Sequence, residues 1–277
     1  MKLNLDNDRL RELVPNIIYE VDGETPLYYK ILPWIELARQ WLETELIGNF
    51  QPEGELYSLA EKAIVYKSLA DAVPSLDLTL TPAGFAVINT DDRIPASKER
   101  IERLIASLYS FADDNIELLC RSLHRQPEWR QSIVGMRFRS SFISDLGFVR
   151  RFRRDKDLLS TYKIVREIVM PFEQELAEKY FGFGFLKSLY SAYPDFTTPG
   201  SREIFAILLA DGLKYVGRHI DDTAISCPDG HEVWHIARPV IARLEHWPRL
   251  KEQWAQEMGD KFIVEPFKNT VQGGYFF

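Results

Sequence analysis

The sequence has little cysteine and no long apolar run. Its 277 residues include only two cysteines, Cys120 and Cys227, which are too few for a disulfide framework or for a thiolate metal site without other ligands. No stretch approaches the roughly 20 consecutive apolar residues that a membrane-spanning helix needs. The N-terminus carries early acidic residues in place of the apolar core of a signal peptide. We therefore expect a cytoplasmic protein with reduced thiols.

Common signatures of catalysis are also absent. Neither glycine-rich phosphate-binding pattern, G-x-x-x-x-G-K-[ST] or G-x-G-x-x-G, occurs, and there is no G-x-S-x-G nucleophile motif. The formal net charge of −7 disfavours a dedicated nucleic-acid binder, because such proteins are normally basic. These absences favour a structural or binding protein over an enzyme, with no cofactor.

The composition is that of a folded, mainly α protein. Hydrophobic residues make up 45% of the chain and aromatic residues 13%, which excludes a disordered class. Apolar residues recur at steps of three and four, as the buried face of a helix requires. The segments with this spacing are 27–47, 54–73, 97–118, 158–180, 201–216 and 239–258.

Two other segments resemble β-hairpins, because each contains a Pro-x-Gly turn flanked by apolar residues. Pro82 and Gly84 mark the first turn, and Pro228 and Gly230 mark the second. Each follows two predicted helices and precedes another, which indicates an internal duplication, although two common turns can also match by chance. The predicted organisation is an N-terminal helical unit (1–135, hairpin near 76–88), a basic connector (136–157), a C-terminal helical unit (158–265, hairpin near 223–236) and a flexible aromatic tail (266–277).

A basic segment joins the two predicted units. Between Arg130 and Lys156, eight basic residues face only two acidic ones, so this stretch carries +6 while the remainder carries −13. Arginine suits phosphate and carboxylate partners because its planar guanidinium binds them through two parallel hydrogen bonds. Either these arginines pair with acids of neighbouring helices, or they face an acidic partner. The candidate partner-binding arginines are Arg137, Arg139, Arg150, Arg151, Arg153 and Arg154.

The most specific motif in the chain is H-E-x-x-H, formed by His231, Glu232 and His235. On a helix, such histidines can hold zinc while the glutamate acts as general base, with Glu245 or His246 as a third ligand. The preceding turn residues and the predicted hairpin favour a strand instead. A strand would direct Glu232 to the opposite face from both histidines. A zinc-dependent hydrolase is therefore an alternative only.

The chain finishes in a glycine pair followed by three aromatic residues, Tyr275, Phe276 and Phe277. Three adjacent exposed rings are unfavourable in water, so we expect them to bury against a protein surface. That surface belongs either to the same chain or to a neighbouring subunit. We include the three aromatic residues among the candidate partner-binding residues.

Two strings carry a resemblance to a known group of proteins. The stretch from Leu78 to Val87, with its T-P-x-G-F string, and the stretch from Pro95 to Leu104, which begins P-A-S-K-E-R, resemble an uncharacterised prophage-encoded family of gut bacteria. The helix from Leu27 to Gly48, with the helix after it, is similar to helical head–tail connector (neck adaptor) proteins of tailed phages.

The resemblance implies a virion-assembly protein without catalytic residues. Such an adaptor binds portal or tail components and further copies of itself, forms a homo-oligomer during assembly, and ends up in the virion. Packaged DNA would be a second acidic partner for the basic connector, and no membrane is involved. A helical protein-binding module of unknown partner is the remaining alternative.

Overall fold

Helices dominate the computed structural model, which describes residues 1–14, 25–76, 78–81, 84–87, 97–153, 157–222 and 228–258. The prediction of a mainly α protein is confirmed. In the described parts of the chain, no helix is long and apolar enough to cross a membrane.

The N-terminal half is built from four helices. They are α1 (Asn7–Leu13), α2 (Leu27–Leu42), α3 (Gly54–Leu76) and α4 (Lys98–Leu123). The apolar stripe predicted for α2 is buried, and a π-helical turn (Glu43–Ile47) extends this helix until Gly48, whose φ of 64° ends it. Helices α3 and α4 pack along each other. Between them lie two short strands, β1 (Leu78–Thr81) and β2 (Gly84–Val87), paired antiparallel with Leu78 opposite Val87.

Short helical pieces fill the middle of the chain. They are α5 (Pro127–Gln131), α6 (Ile133–Phe138) and two 3₁₀ turns (Leu146–Phe148 and Arg150–Phe152). Polar side chains cap two of these pieces. The Ser132 hydroxyl accepts the Gly135 N–H at 3.0 Å, and an Asp145 carboxylate oxygen accepts the Gly147 N–H at 2.8 Å.

The C-terminal half contains α7 (Leu158–Leu176), α8 (Phe183–Ser191), α9 (Pro199–His219), α10 (Gly230–Leu244) and α11 (Pro248–Met258). A π-helical turn (Ala177–Phe181) extends α7, and Gly182 then separates it from α8. Side-chain caps start α7 and α9. Asp157 accepts the Ser160 N–H at 2.8 Å, and Thr198 accepts the Ser201 N–H at 3.1 Å.

The prediction of a second hairpin near 223–236 is wrong for its described part. Helix α10 begins at Gly230, and Asp229 is its N-cap, with a carboxylate oxygen that accepts the His231 N–H at 3.1 Å. The Asp-Gly pair that suggested a turn is therefore a helix start, which uses the same residue types. Residues 223–227 lie outside the described part of the chain. Among the described residues, the order of elements is consequently not repeated between the two halves.

A single buried cluster of apolar side chains runs through both halves. Phe138 lies at its centre, fully buried, with its ring stacked on Tyr162 at 4.4 Å between centroids and tilted against Trp129 at 5.8 Å. The Trp129 indole N–H donates to the Leu46 carbonyl at 2.7 Å, which ties the same cluster to α2 and its π-helical turn. The stretch predicted as a connector (136–157) is thus part of the core in its described portion, and the two predicted units share that core.

Candidate functional site

Three arginines of the basic segment pair with carboxylates of the described residues. Arg150 forms ion pairs with Asp114 and, at 3.0 Å, with Glu117. Arg153 Nε lies 2.8 Å from an Asp113 carboxylate oxygen, and Arg137 lies 3.6 Å from the Glu45 carboxylate.

The remaining arginines differ. The Arg151 guanidinium lies 4.8 Å from the centre of the Phe152 ring, and Arg154 lies outside the described residues. The phenylalanines interleaved with the arginines pack inward, with Phe138 and Phe142 fully buried. In its described portion, the segment therefore does not form an open basic face with exposed stacking rings.

Arg139 differs from the exposed Arg151, which also has no carboxylate partner among the described residues, in being half-buried. Its Nη2 donates to the Ser191 carbonyl, its Nε is buried without a hydrogen-bond partner, and no carboxylate of the described residues pairs with it. Burial lowers the pKa of the Arg139 guanidinium, and the positive charge of Arg130 lowers it further. Both effects disfavour the charged form of Arg139.

Arg139 lines a cavity of about 640 Å³ between α6, α7 and α8. This volume is within the usual range for ligand sites. The helices that form the cavity are fixed by the shared core, because Phe138 precedes Arg139 directly and Phe142 packs edge-on against Phe172 of α7 at 6.2 Å. The cavity therefore lies where the middle of the chain meets the C-terminal half.

The rim of the cavity is apolar and exposed. Met136 of α6 is 53% exposed, and Met170 of α7 and Phe183 of α8 are each 61% exposed. Methionine and phenylalanine are frequent at protein-binding surfaces, where flexible thioethers and flat rings adapt to a partner. Three such side chains around one opening are typical of an interaction site.

The inner wall supplies hydrogen-bond donors. Tyr190 lines the cavity, and its buried hydroxyl has no hydrogen-bond partner among the described residues. Burial raises the pKa of this phenol well above its usual range, so the group stays protonated at neutral pH and can donate. Arg139 Nε and the Tyr190 hydroxyl are therefore two donors that lack an acceptor in the described part of the chain.

The one carboxylate in the cavity wall, Glu173, is already bonded inside the protein. One of its oxygens accepts the Phe142 backbone N–H at 2.9 Å, and the other pairs with Arg166 at 3.0 Å. Burial raises the pKa of Glu173, and these two partners oppose that rise. With Arg139, Arg166 and Lys187 against Glu173 alone, the charged groups of the wall sum to a positive excess.

A second cavity of about 650 Å³ lies between α8, α11 and the start of α9, lined by Phe185, Thr198 and Trp247 among others. The Trp247 indole N–H is satisfied, since it donates to Glu203 at 2.9 Å. Among the described residues, no buried polar side-chain atom of its wall lacks a partner. The cavity at Arg139 is consequently the better candidate for a binding site.

The H-E-x-x-H motif lies on helix α10, and the strand predicted for it is wrong. His231 and His235 are exposed one turn apart. Glu232 is bonded to side chains of α9, with Arg218 at 3.1 Å and the His219 Nε2 at 3.1 Å. In the described parts of the chain, no group of three or more histidine, cysteine or acidic side chains is placed to hold a metal ion.

The aromatic residues Tyr275, Phe276 and Phe277 lie outside the described residues, as does Cys227. The sequence did identify Arg139, but only as one of six arginines. It gave no indication of Met170, Phe183 or Tyr190 as site residues. Of these three residues, only Phe183 has a sequence signal, because it lies in the aromatic–glycine run 181–185. Nothing in the sequence relates that run to Arg139.

The comparisons with known proteins assign no activity to this site. Residues 18–139 match the model of a family described as a family of unknown function (DUF6712). This range covers less than half of the chain and ends at Arg139, so it includes only one side of the cavity. No curated protein and no solved structure matches the chain.

Proposed function

We propose that this protein is a structural component of virus assembly, a helical head–tail adaptor that binds other virion proteins through the cavity at Arg139. The observation that carries the proposal is the exposed apolar rim, formed by Met136, Met170 and Phe183, around a cavity wall with unused hydrogen-bond donors. Such a combination provides apolar burial for affinity and polar groups for specificity. The resemblance of the 78–87 and 95–104 strings to a prophage-encoded family supplies the choice of virion proteins as partners.

The partners follow from this role. A portal or tail component would bind the rim, and copies of the adaptor would lie side by side on that template as a homo-oligomer. Some adaptors assemble only when their template is present. A free protein that stays monomeric is therefore compatible with this role. In this function the protein acts by buried surface and complementary charge, without bond making or breaking.

Coexpression tests the proposal. The protein is produced together with the portal protein, and separately with the tail-completion proteins, encoded by the genome that carries its gene. We expect a stable complex with at least one of them in native mass spectrometry, and we expect Phe183→Asp to abolish it by placing a charge in the apolar rim. Phe111→Asp is the matched control, because Phe111 is also exposed but lies on α4. Absence of any complex with the wild-type protein would contradict the proposal.

A zinc-dependent hydrolase is the second candidate, and one observation favours it. His231 and His235 lie on successive turns of one helix, a spacing that lets both bind the same metal ion. If the protein is a zinc-dependent hydrolase, we expect protein purified without chelator to hold about one zinc ion per chain, and we expect His231→Ala to remove it. Arg238→Ala, on the same exposed stretch of α10, is the control that should keep the metal. Elemental analysis decides, and a wild-type protein without zinc eliminates the hydrolase.

A further inference from the structure

We propose that the cavity at Arg139 binds a peptide segment of the partner protein in which an aspartate or glutamate is flanked by aromatic or aliphatic side chains. The carboxylate would bind Arg139, and the flanking side chains would cover Met136, Met170 and Phe183. This inference rests on the proposed function, since it names the chemistry of the partner segment that the same site recognises.

The need for a carboxylate follows from a comparison of Arg139 with its neighbours. Arg150, Arg153 and Arg166 each have a carboxylate oxygen within 3.0 Å. Among the described residues, Arg139 has only the Ser191 carbonyl as an acceptor, and its buried Nε has none. Leaving a buried donor unbonded costs free energy. Nε itself is not accessible from the cavity, so an incoming carboxylate would bind at the terminal nitrogens of the guanidinium and compensate the charge there.

The surroundings of Arg139 offer no substitute for that carboxylate. Both oxygens of Glu173 are used, one by the Phe142 N–H and one by Arg166. Gln174, which also lines the cavity, donates its side-chain amide to Glu178 at 2.9 Å. The Tyr190 hydroxyl adds a further donor without an acceptor. An incoming acidic side chain would supply the counter-charge that the described residues around Arg139 do not provide.

The need for apolar neighbours follows from the rim. Met136, Met170 and Phe183 are more than half exposed and come from three different helices, so they surround the opening from several sides. A small inorganic anion would leave all three side chains in water. A peptide with apolar residues on either side of its carboxylate would bury them, and burial of such side chains is a main source of affinity at protein interfaces.

A library of random dodecapeptides displayed on phage, selected against the full-length protein, tests this recognition without knowledge of the partner. We expect enriched sequences to share one Asp or Glu flanked by Phe, Leu, Ile, Met or Trp. For a synthetic peptide of the enriched sequence, we expect Arg139→Met to raise Kd at least tenfold in fluorescence anisotropy, because methionine keeps the apolar stem and removes the charge. Arg238→Met, on exposed helix α10, should leave Kd unchanged.

The role of the rim has its own variants. Met170→Asp and Phe183→Asp should each raise Kd for the same peptide, because a carboxylate in the rim repels the ligand and removes apolar contact. Replacing the acidic residue of the peptide by its amide should weaken binding to the wild-type protein and have little effect on binding to Arg139→Met. If the amide peptide loses affinity for the wild-type protein but not for Arg139→Met, the acid and Arg139 are in direct contact. Circular dichroism checks independently that the variants remain folded.

Five outcomes would overturn the inference. Enrichment of apolar peptides without an acid would make the site a purely apolar groove, and failure to enrich any peptide would remove it as a peptide site. A fatty acid released from the purified protein and lost in Arg139→Met would identify a lipid as the occupant. Self-association abolished by Arg139→Met would identify a second copy. If the complex with portal or tail proteins forms but is insensitive to Arg139→Met, this inference fails while the proposed function stands.

Discussion

Phe138→Ala should lower the free energy of unfolding by about 3–5 kcal/mol, the usual cost of removing a buried phenylalanine side chain. The ring is fully buried and contacts Trp129 on one side and Tyr162 on the other, so its loss leaves a cavity between the two halves. Because both halves contribute to this cluster, we expect wild type and variant each to unfold in one cooperative transition.

Chemical denaturation followed by circular dichroism and by tryptophan fluorescence measures both quantities. Phe183→Ala is the matched control: it removes the same ring from an exposed position, and we expect a change within about 0.5 kcal/mol. Two separate transitions, of which Phe138→Ala shifts only one, would mean that the halves are independent units. That result would restore the two-unit organisation predicted from the sequence.

Asp113→Asn should remove a pH dependence of stability between about pH 4 and 6. Asp113 is fully buried on α4, and burial raises its pKa from the ordinary 3.8 to about 6. The Leu158 N–H, which donates to it at 2.9 Å, and the Arg153 guanidinium at 2.8 Å oppose this rise, while the nearby Asp157 carboxylate adds to it. In this pH window the folded protein therefore binds more protons at Asp113 than the unfolded chain does.

The sign of the effect follows from proton linkage. A group that binds more protons in the folded state makes the free energy of unfolding fall as pH rises. A shift of about two pKa units corresponds to a loss on the order of 3 kcal/mol between pH 3.8 and pH 6. Asparagine does not titrate, and its amide oxygen can still accept the Leu158 N–H, so the variant should lack this contribution while it keeps the hydrogen bond to the first residue of α7.

The measurement is the difference in free energy of unfolding between wild type and Asp113→Asn at a series of pH values. The difference is needed because other buried groups titrate too, such as His124, whose pKa burial lowers. Asp114→Asn is the control, because Asp114 is the next residue and its partly exposed side chain pairs with Arg150. A difference curve that is flat from pH 4 to 6 would show that Asp113 is ionised throughout this range in the folded protein.

The local features of the fold could be predicted from the sequence. The apolar spacing in α2 places Ile31, Ile35, Ala38 and Leu42 on one buried face, because side chains three and four residues apart share one side of a helix. The error at Pro228-Asp229-Gly230 is also local. Capping residues and turn residues are the same amino acids, and the helix is distinguished by the buried face that follows Asp229, with Val233 and Ile236.

The candidate site could not be found in the same way. Six arginines in one basic segment are equivalent in sequence, and the carboxylate partners of Arg137, Arg150 and Arg153 come from distant parts of the chain. Arg153 pairs with Asp113 and Arg150 with Glu117 because α4 packs beside the segment, whereas the wall around Arg139 offers only a carboxylate already bonded elsewhere. The distinction between a neutralised arginine and an available one is a property of packing.

The sequence by itself determined that this protein is mainly helical, rich in core-forming residues and without phosphate-binding or nucleophile motifs, because these properties depend on composition and on neighbours a few residues apart. Only the tertiary structure decided that the basic segment is part of a shared core, that Glu232 bonds to α9, and that Arg139 opens into an apolar-rimmed cavity. Burial and ion pairing depend on which distant elements come into contact, and that is set by the packing of the whole chain.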